Sequence, residues 1–248
     1  VDPEAVSKAI TKETTLITIM LANNVVGTLQ PIKEISKVAK EHKVLLHTDA
    51  VQALGNIPVN VNDLGVDFLS LSGHKFHAPK GIGLLYARRG ARFWPHLHGG
   101  GQERGKRSGT ENVPGIIGLA KALEIAVKEQ EEKAKRLAVL RDKLVAGVLK
   151  SVPDVTYLGH PQKRLPGNAC FSFKYIEGES LVLHLDRYGI AASSGSACAS
   201  HSLEPSHVLL ALGLSAVDAH GSLRISMGRA NTEQDVAKFL EVLPGIVE

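Results

Sequence analysis

Lys75 stands just beyond an apolar run, in a position where lysines are uncommon. Residues 66–71 (VDFLSL) are predicted to form a buried strand, and only a Ser-Gly-His tripeptide separates that strand from Lys75. Most lysines lie in water on helices or loops, so an amine at the end of a buried strand is a candidate for chemistry. Asp49 follows the preceding predicted strand, residues 44–47 (VLLH), in a similar way. An amine and a carboxylate are therefore expected at one edge of a sheet.

This pair of side chains meets the chemical needs of pyridoxal 5′-phosphate (PLP). The cofactor forms a Schiff base with a lysine amine, and a carboxylate keeps its pyridine nitrogen protonated so that the ring can accept electrons. Lys75 and Asp49 could supply these two groups, and Ser72 and His74 could donate hydrogen bonds to the phosphate. Ionisable groups also occupy such positions for structural reasons, so spacing alone leaves both interpretations open.

The two cysteines lie in different surroundings. Cys170 is in NACFSF, an alternating strand-like run, and is predicted to be an inert core residue. Cys198 is in SSGSACASHS, a small polar segment with nothing to bury it, so it is a candidate nucleophile that His201 or His207 could help to deprotonate. Two cysteines cannot form a disulfide framework, so we expect a reducing compartment, the cytoplasm or, in a eukaryote, the mitochondrial matrix.

Strand-like and helical patterns alternate in the first half of the chain, which predicts an α/β fold with a mainly parallel sheet. The predicted strands are residues 16–21, 44–47, 66–71 and 82–86. Ligands bind at the carboxyl edge of such a sheet, where Asn24, Asp49 and residues 72–75 are expected. Asn and Asp are also common turn formers, so any one of them could have only that role.

A long helical pattern covers residues 114–150, and its charged middle part is expected to be a solvated face. Strand and helix patterns resume after it. We therefore predict a large domain over residues 1–113, a linking helix over residues 114–150, and a smaller α+β C-terminal domain over residues 151–248.

Six motifs closely resemble the NifS/IscS-type cysteine desulfurases, which are PLP enzymes of fold type I near the class-V aminotransferases. In chain order the motifs are LANN, HTDAVQALG, SLSGHKFHAPKGIG, HGGGQERGKRSGTEN, SSGSACASHSLEPSHVL and LRISMGR. The resemblance covers essentially the whole chain and implies the fold-type I large domain. It also implies an activity, the removal of sulfur from L-cysteine to give L-alanine and an enzyme persulfide. The sulfur would supply iron–sulfur cluster or thio-modification pathways.

The resemblance implies a role for each matching position. Lys75 corresponds to the Schiff-base lysine, Asp49 to the partner of the pyridine nitrogen, and Cys198 to the residue that accepts the sulfur. The other implied cofactor contacts are Asn24 and Gln52 at the ring and Ser72, His74 and Thr110 at the phosphate.

Thr110 resembles the threonine that reaches the phosphate of a partner subunit, which implies a homodimer. Arg224 resembles the arginine that binds the substrate carboxylate, a task that suits a planar guanidinium, and Asn24 is expected beside the same substrate. A sulfur acceptor or an iron–sulfur scaffold protein is the implied protein partner.

Two alternatives to a desulfurase remain at this level. A selenocysteine lyase shares much of the motif layout, although the segment around Cys198 looks like the longer cysteine loop of desulfurases. The family also has cofactor contacts upstream of the first motif, so this chain is expected to lack the N-terminal part. A fragment of that kind could act as a non-catalytic dimerisation or sulfur-acceptor docking module.

Composition and spacing argue against other classes of function. The 29 basic and 25 acidic residues give a net charge of +4 that is spread along the chain, and aromatics are only 4%, so nucleic-acid binding is not expected. No apolar run reaches the roughly 18 residues that cross a bilayer. Residues 100–107 differ from the P-loop motif at its last position, where Arg107 stands in place of the Ser or Thr that a P-loop requires. His96 and His98 lack further ligands, so no metal is expected.

Overall fold

The structure, a computed structural model, describes residues 1–195 and 204–247 and contains two compact units. The first unit comprises Val1–Leu21 and Gln30–Gln130, and the second comprises Ala22–Leu29 and Glu131–Glu248. The division falls inside a long helix, and a short segment of the first half belongs to the second unit. The domain boundaries inferred from the sequence, at residues 1–113, 114–150 and 151–248, stay predictions.

The first unit is built on a four-stranded, mainly parallel sheet, as the alternating pattern predicted. Its strands are β1 (Leu16–Thr18), β2 (Leu45–Asp49), β3 (Phe68–Ser72) and β4 (Gly83–Ala87), in that spatial order. Strands β1, β2 and β3 are parallel, and β4 returns antiparallel to β3. The carboxyl ends of β2 and β3 therefore meet at one edge of the sheet.

Strand β1 is shorter than the predicted run of residues 16–21, although the chain stays beside β2. The Ile19 amide donates to the His47 carbonyl at 3.2 Å and the Leu21 amide to the Asp49 carbonyl at 2.8 Å. Backbone hydrogen bonds thus hold the chain along β2 up to the point where the first unit is interrupted.

The two faces of β2 differ in burial because successive side chains point to opposite sides of a strand. Leu46 and Thr48 are buried, whereas Leu45, His47 and Asp49 are only partly buried. His47 and Asp49 therefore share the more open face of the sheet, and this alternation decides which side chains of β2 can reach a ligand.

Short helices connect and cover these strands. They are α1 (Pro3–Ala9), α2 (Ile32–Glu41), α3 (Val61–Leu64), a 3₁₀ turn (Gly73–Phe76) and α4 (Gln102–Gly105). In α2 the buried residues Ile32, Ile35 and Ala39 recur at helical spacing and form its core-facing stripe. Asn60 caps α3, since its side-chain oxygen accepts from the Asn62 amide at 2.9 Å.

Helix α5 (Val113–Ser151) extends one residue beyond the predicted span at each end. The second unit then forms an antiparallel sheet, β5 (Val155–Tyr157), β6 (Asn168–Phe173), β7 (Ser193–Ser194) and β8 (Ser222–Ser226), in the order β5-β6-β8-β7. Its further helices are α6 (Gly178–Asp186), α7 (His207–Ala211), α8 (Ala216–His220) and α9 (Glu233–Val247). No helix in residues 1–195 and 204–247 combines the length and apolar character that membrane crossing requires.

Strand β6 is the centre of the second unit, and all six of its residues are buried. Phe171 and Phe173 pack on one side, in a core shared with α5, α6 and α9. Cys170 packs on the other side against Val25 and Val26, which belong to the short segment from the first half of the chain. Because both faces are buried, the two polar side chains of the strand need partners: Asn168 Nδ2 donates to the Val25 carbonyl and Ser172 Oγ to the Asp218 carbonyl.

Candidate active site

The carboxyl ends of β2 and β3 place the predicted carboxylate and amine on one unit. Asp49 is the last residue of β2, and Ser72 is the last residue of β3. The 3₁₀ turn that follows β3 contains His74 and Lys75. Asp49 and Ser70 are register partners in adjacent parallel strands, so Asp49 lies two residues short of Ser72 along the sheet edge.

The Asp49 carboxylate is held in place by the turn that follows β2. The Val51 amide donates to Asp49 Oδ1 at 2.8 Å, which fixes the side chain at the strand end. Gln52 lies in the same turn, and its side chain is partly buried. The backbone carbonyl of Gln52 accepts from Asn56 Nδ2 at 2.9 Å. The carboxylate keeps acceptor capacity for a further donor, since only one hydrogen bond to it is observed among the described residues.

A row of polar side chains crosses the same face of the sheet beside Asp49. Thr18 Oγ1 lies 2.6 Å from His47 Nδ1, and Ser70 Oγ lies 3.1 Å from His47 Nε2. A hydroxyl can donate or accept, so the two contacts hold the imidazole in either tautomer. Burial lowers the pKa of His47, and the negative charge of Asp49 acts in the opposite direction.

Sequence reasoning missed the Thr18–His47–Ser70 row, although part of its signal was present. His47 precedes Asp49 by two residues in a strand, and residues spaced in this way share a face. The contributions of Thr18 and Ser70 depend on strand pairing, which local sequence does not specify.

Ser72, His74 and Lys75 form a second group at this edge. Ser72 Oγ lies 2.9 Å from His74 Nδ1. The Lys75 amine is exposed and takes part in no ion pair within residues 1–195 and 204–247. Gly73 lets the turn pack closely against Leu119, because a Cβ there would lie 2.9 Å from Leu119 Cδ1. The turn therefore presents an imidazole and an uncommitted amine at the strand end.

Asn24 and Arg224 belong to the second unit. Arg224 Nη1 donates to the Asn24 carbonyl at 3.0 Å, although the two residues are 200 positions apart in the chain. Arg224 Nε is buried and has no hydrogen-bond partner among the described residues. A planar guanidinium suits a carboxylate, so the chemistry of this side chain fits the predicted substrate contact.

Cys198 and His201 lie outside the described residues. The chain enters that segment from β7, where Ser193 pairs with Arg224. The Gly195 amide, at the segment's beginning, donates to Ser222 Oγ at 3.2 Å. The other candidate base, His207, is the exposed first residue of α7.

Thr110 is exposed in the loop between α4 and α5. The neighbouring backbone is shaped by Gln102, whose Oε1 accepts from the Gly109 amide at 3.1 Å, and by Ser108, whose Oγ donates to the Leu97 carbonyl at 2.9 Å. Among the described residues, no hydrogen bond links Thr110 to the strand-end groups.

The segment that resembles a P-loop has a different structure. Helix α4 is only four residues long, and Glu103 and Arg104 have φ values of 48° and 57°, outside the helical region. The preceding strand, β4, already ends at Ala87, so no strand leads directly into residues 100–107 and the strand–loop–helix context of a P-loop is missing. The same part of the chain contains no group of three or more His, Cys, Asp or Glu residues arranged to hold a metal ion.

The strand-end groups match the chemistry of pyridoxal phosphate. Lys75 offers an amine for the aldehyde, Asp49 offers a carboxylate for the pyridine nitrogen, and Ser72 with His74 offers donors for a phosphate. A mainly parallel sheet with these groups at its carboxyl edge is the arrangement of PLP enzymes of fold type I. The chain belongs to the aminotransferase class-V family, whose model matches residues 1–239 and whose members depend on PLP.

Within that family the chain is similar to proteins named cysteine desulfurase IscS. It is 56% identical to the protein of Methanosarcina thermophila over 248 residues, which is 100% of this chain and 61% of the relative. It is 53% identical to the protein of Dictyoglomus turgidum, again over 100% of this chain and 63% of the relative. The predicted resemblance to the NifS/IscS type is confirmed.

Solved structures agree with this assignment. A NifS-like protein superposes with a TM-score of 0.90 at 42% identity, covering 100% of this chain and 65% of the other. The NifS-like protein of Rickettsia africae also superposes with a TM-score of 0.90, at 32% identity over 99% of this chain and 66% of the other. The chain thus spans less than two thirds of the length of these relatives.

Proposed function

We propose that the protein is a PLP-dependent cysteine desulfurase, which converts L-cysteine into L-alanine and an enzyme persulfide. The observation that carries this proposal is the free amine of Lys75 beside the Asp49 strand end, in a chain 56% identical to a protein named cysteine desulfurase. The relatives with that name support cysteine over selenocysteine as the substrate.

Residues at the matching motif positions would hold the cofactor. Lys75 Nζ would bind its aldehyde carbon, and the Asp49 carboxylate would keep its ring nitrogen protonated. Ser72 and His74 would hold the phosphate, and Asn24 and Gln52 would lie against the ring. When bound, PLP serves as an electron sink for bonds to the substrate's α carbon.

The chain's own residues would bind the substrate and move its protons. Arg224 would bind the carboxylate of L-cysteine through its planar guanidinium, which restricts the orientation of the reacting bonds. Lys75 Nζ is the base available to move the proton of the α carbon, because an uncharged lysine amine beside the reacting atoms can accept it.

Cys198 would accept the sulfur. Its thiolate would form an S–S bond with the sulfur of the substrate while the Cβ–S bond breaks, leaving the electron pair on the carbon skeleton. Protonation of that carbon yields alanine, and the outer sulfur stays on Cys198 as a persulfide. A sulfur acceptor or an iron–sulfur scaffold protein would then take it.

We further propose a homodimer in which Thr110 contacts the phosphate bound by the partner subunit. This arrangement would give the exposed Thr110 hydroxyl a function that a single subunit does not explain. A cytoplasmic location, or the mitochondrial matrix in a eukaryote, is proposed from the cysteine content.

The test is a single turnover of the full-length, PLP-loaded protein with L-cysteine, followed by mass spectrometry of its peptides. We expect one added sulfur on Cys198 and one equivalent of alanine. Cys198→Ser should abolish both while the cofactor spectrum and its shift with cysteine persist. Cys170→Ser is the matched control and should keep its turnover. Sulfur on Cys170, or normal turnover by Cys198→Ser, would contradict the proposal.

A further inference from the structure

The segment Ala22–Leu29 is attached to the second unit through four consecutive backbone carbonyls. Arg224 Nη1 donates to the Asn24 carbonyl at 3.0 Å and Asn168 Nδ2 to the Val25 carbonyl at 3.1 Å. Arg164 Nη2 donates to the Val26 carbonyl at 2.9 Å. The Leu165 amide donates to the Gly27 carbonyl, also at 2.9 Å. Three of these four donors are side chains at least 138 positions away in sequence.

Arg164 and Asn168 act as a pair. Arg164 is 4% exposed and Asn168 is 6% exposed, and Arg164 Nη2 also donates to Asn168 Oδ1 at 3.0 Å. Arg164 Nη1 donates to the Leu158 carbonyl at 3.0 Å, and the guanidinium carbon lies 4.1 Å from the ring centre of Tyr157. The fork of Arg164 thus joins the segment to strand β6 and to the loop that precedes it.

The energetics of Arg164 favour a positioning role over a purely stabilising one. Among the described residues its hydrogen-bond acceptors are carbonyl and amide oxygens, with no carboxylate. Its Nε is buried and unpaired in the same part of the chain. Removing a charge from water is expensive, and well-packed apolar residues often stabilise a core at least as well. What apolar residues cannot do is fix the direction of a particular peptide group.

The turn inside the segment leaves little freedom for the Asn24 peptide. Asn23 Oδ1 accepts from the amides of Val25 and Val26, each at 2.9 Å. Gly27 has a φ of 73°, and a Cβ on it would lie 2.5 Å from Asn168 Oδ1. The amides of Val25 and Val26 and the carbonyls of residues 24–26 are therefore all hydrogen-bonded. These bonds hold the backbone that bears the Asn24 side chain in a single orientation.

We propose that Arg164 and Asn168 are positioning residues for the cofactor site, which act by fixing the Asn24–Val26 backbone and so the direction of the Asn24 side chain. This inference rests on the proposed function, in which Asn24 lies against the cofactor ring. Neither residue touches the cofactor in this arrangement. Their effect on cofactor binding passes through Asn24.

Hydrogen exchange of the full-length protein tests the structural half of the inference without depending on cofactor or activity. Arg164→Lys keeps the charge but loses the planar fork, and Asn168→Ala removes the amide. Each variant should speed amide hydrogen exchange in residues 22–29 by about tenfold, which corresponds to the loss of one or two hydrogen bonds. Asn168→Ala carries the test if Arg164→Lys does not fold. Unchanged exchange in residues 22–29 would overturn the inference.

Arg136→Lys is the matched control. Arg136 also holds a loop of the second unit through carbonyls, with Nη2 donating to the Arg229 carbonyl at 2.9 Å and Nη1 to the Asn231 carbonyl at 2.5 Å. Its replacement should loosen residues 228–231 and leave residues 22–29 unchanged. Faster exchange in residues 22–29 of this variant would mean that any lost arginine loosens the segment, which also overturns the inference.

A double-mutant cycle on PLP affinity tests the functional half. The dissociation constant is measured by absorbance titration of the apoprotein, so no turnover is needed. Asn168→Ala and Asn24→Ala should each weaken PLP binding by about tenfold, and the double variant should bind no more weakly than Asn24→Ala. Additive losses would indicate general damage and overturn the inference. A wild-type protein that binds no PLP would instead defeat the proposed function.

Discussion

Asp49 and His47 lie two residues apart on the same face of β2, and the negative charge of Asp49 favours the protonated form of His47. The Asp49 carboxylate accepts one backbone amide, and His47 is fixed between the hydroxyls of Thr18 and Ser70. When the His47 imidazole is neutral, the Asp49 charge is available to the protonated pyridine ring of the cofactor. A charged His47 imidazolium would compete with the pyridine ring for that carboxylate. The burial that lowers the pKa of His47 therefore serves the role that we propose for Asp49.

We expect His47 to titrate below its usual pKa in the full-length protein, with Asp49→Asn lowering that pKa further. Burial disfavours the imidazolium, and the variant removes the carboxylate that partly compensates. Because the folded-state pKa lies below the unfolded value of about 6.5, this group should reduce stability as the pH falls below about 6.5. Histidine NMR resonances followed through a pH titration measure the shift. A higher pKa in Asp49→Asn would contradict the assignment of the charge partner.

Asp49→Asn should leave PLP bound but slow turnover by about 100-fold or more, because an amide cannot hold the pyridinium proton. The cofactor spectrum shows binding, and alanine formation from L-cysteine gives the rate. Asp67→Asn is a suitable control, since Asp67 accepts from the Leu46 amide in the same sheet but is not a predicted cofactor contact. Near-normal turnover of Asp49→Asn would mean that another group protonates the ring.

Cys170 should be chemically silent in the folded protein. It is fully buried, and burial raises the pKa of its thiol to about 12, so at pH 8 only about one molecule in ten thousand would be a thiolate. Iodoacetamide at pH 8 should label Cys198 and spare Cys170, and both should react in urea. Cys170→Ser should cost about 1–3 kcal/mol if its hydroxyl is left unpaired. Rapid native labelling of Cys170 would show that the second unit opens readily.

Among the elements, the segment Ala22–Leu29 is a turn of the second unit, and in the chain it directly follows the stretch that pairs with β2 of the first unit. Leu21 still pairs with β2 through the Asp49 carbonyl, whereas the carbonyls of residues 24–27 accept from Arg224 of β8, from Asn168 of β6 and from the loop that precedes β6. Val25 and Val26 also bury their side chains beside Cys170. Packing and directed hydrogen bonds thus act on the same short stretch.

Gly27→Ala should destabilise the second unit by more than Gly81→Ala destabilises the first. Both glycines have a positive φ, of 73° and 81°, so both variants suffer the same backbone cost of about 1 kcal/mol. Only at Gly27 would the new methyl also meet a neighbour, Asn168 Oδ1, whereas nothing lies within 4 Å at Gly81. Urea unfolding midpoints of the full-length variants give the comparison. Equal unfolding midpoints would mean that the Asn168 side chain can move away from the new methyl group without loss of stability.

In the proposed dimer, each site depends on residues of two subunits. Lys75 would serve the cofactor of its own subunit, and Thr110 that of the partner. Such shared sites allow complementation between two inactive variants, because a mixed dimer contains one site with both defects and one site with neither.

Lys75→Ala and Thr110→Ala should each lose activity alone and recover it when the two are co-expressed. Random pairing would place half of the molecules in mixed dimers, so about one quarter of the sites would be intact. Alanine formation measures the recovery, and sedimentation confirms the dimer. Co-expression of Lys75→Ala with Asp49→Asn is the control and should recover nothing, since both residues serve the same subunit's cofactor. Absence of recovery with Thr110→Ala would place Thr110 in its own subunit's site or outside the site.

Elements whose signals are local could be predicted from the amino-acid sequence alone. Apolar runs marked the strands that end at Asp49 and Ser72, and the long periodic pattern predicted α5 to within one residue at each end. The place of Lys75 after β3 followed from its distance to an apolar run. Motif similarity then supplied the family and the expected roles.

Contacts between residues far apart in the chain could not be predicted in this way and became visible only in the folded structure. Membership of Ala22–Leu29 in the second unit rests on Arg164, Asn168 and Arg224, which no local pattern connects to it. The Thr18–His47–Ser70 row likewise requires the parallel register of three strands. Periodicity specifies which side of an element is buried, but not which distant donors form hydrogen bonds with its carbonyls. Those hydrogen bonds depend on how the chain packs in three dimensions.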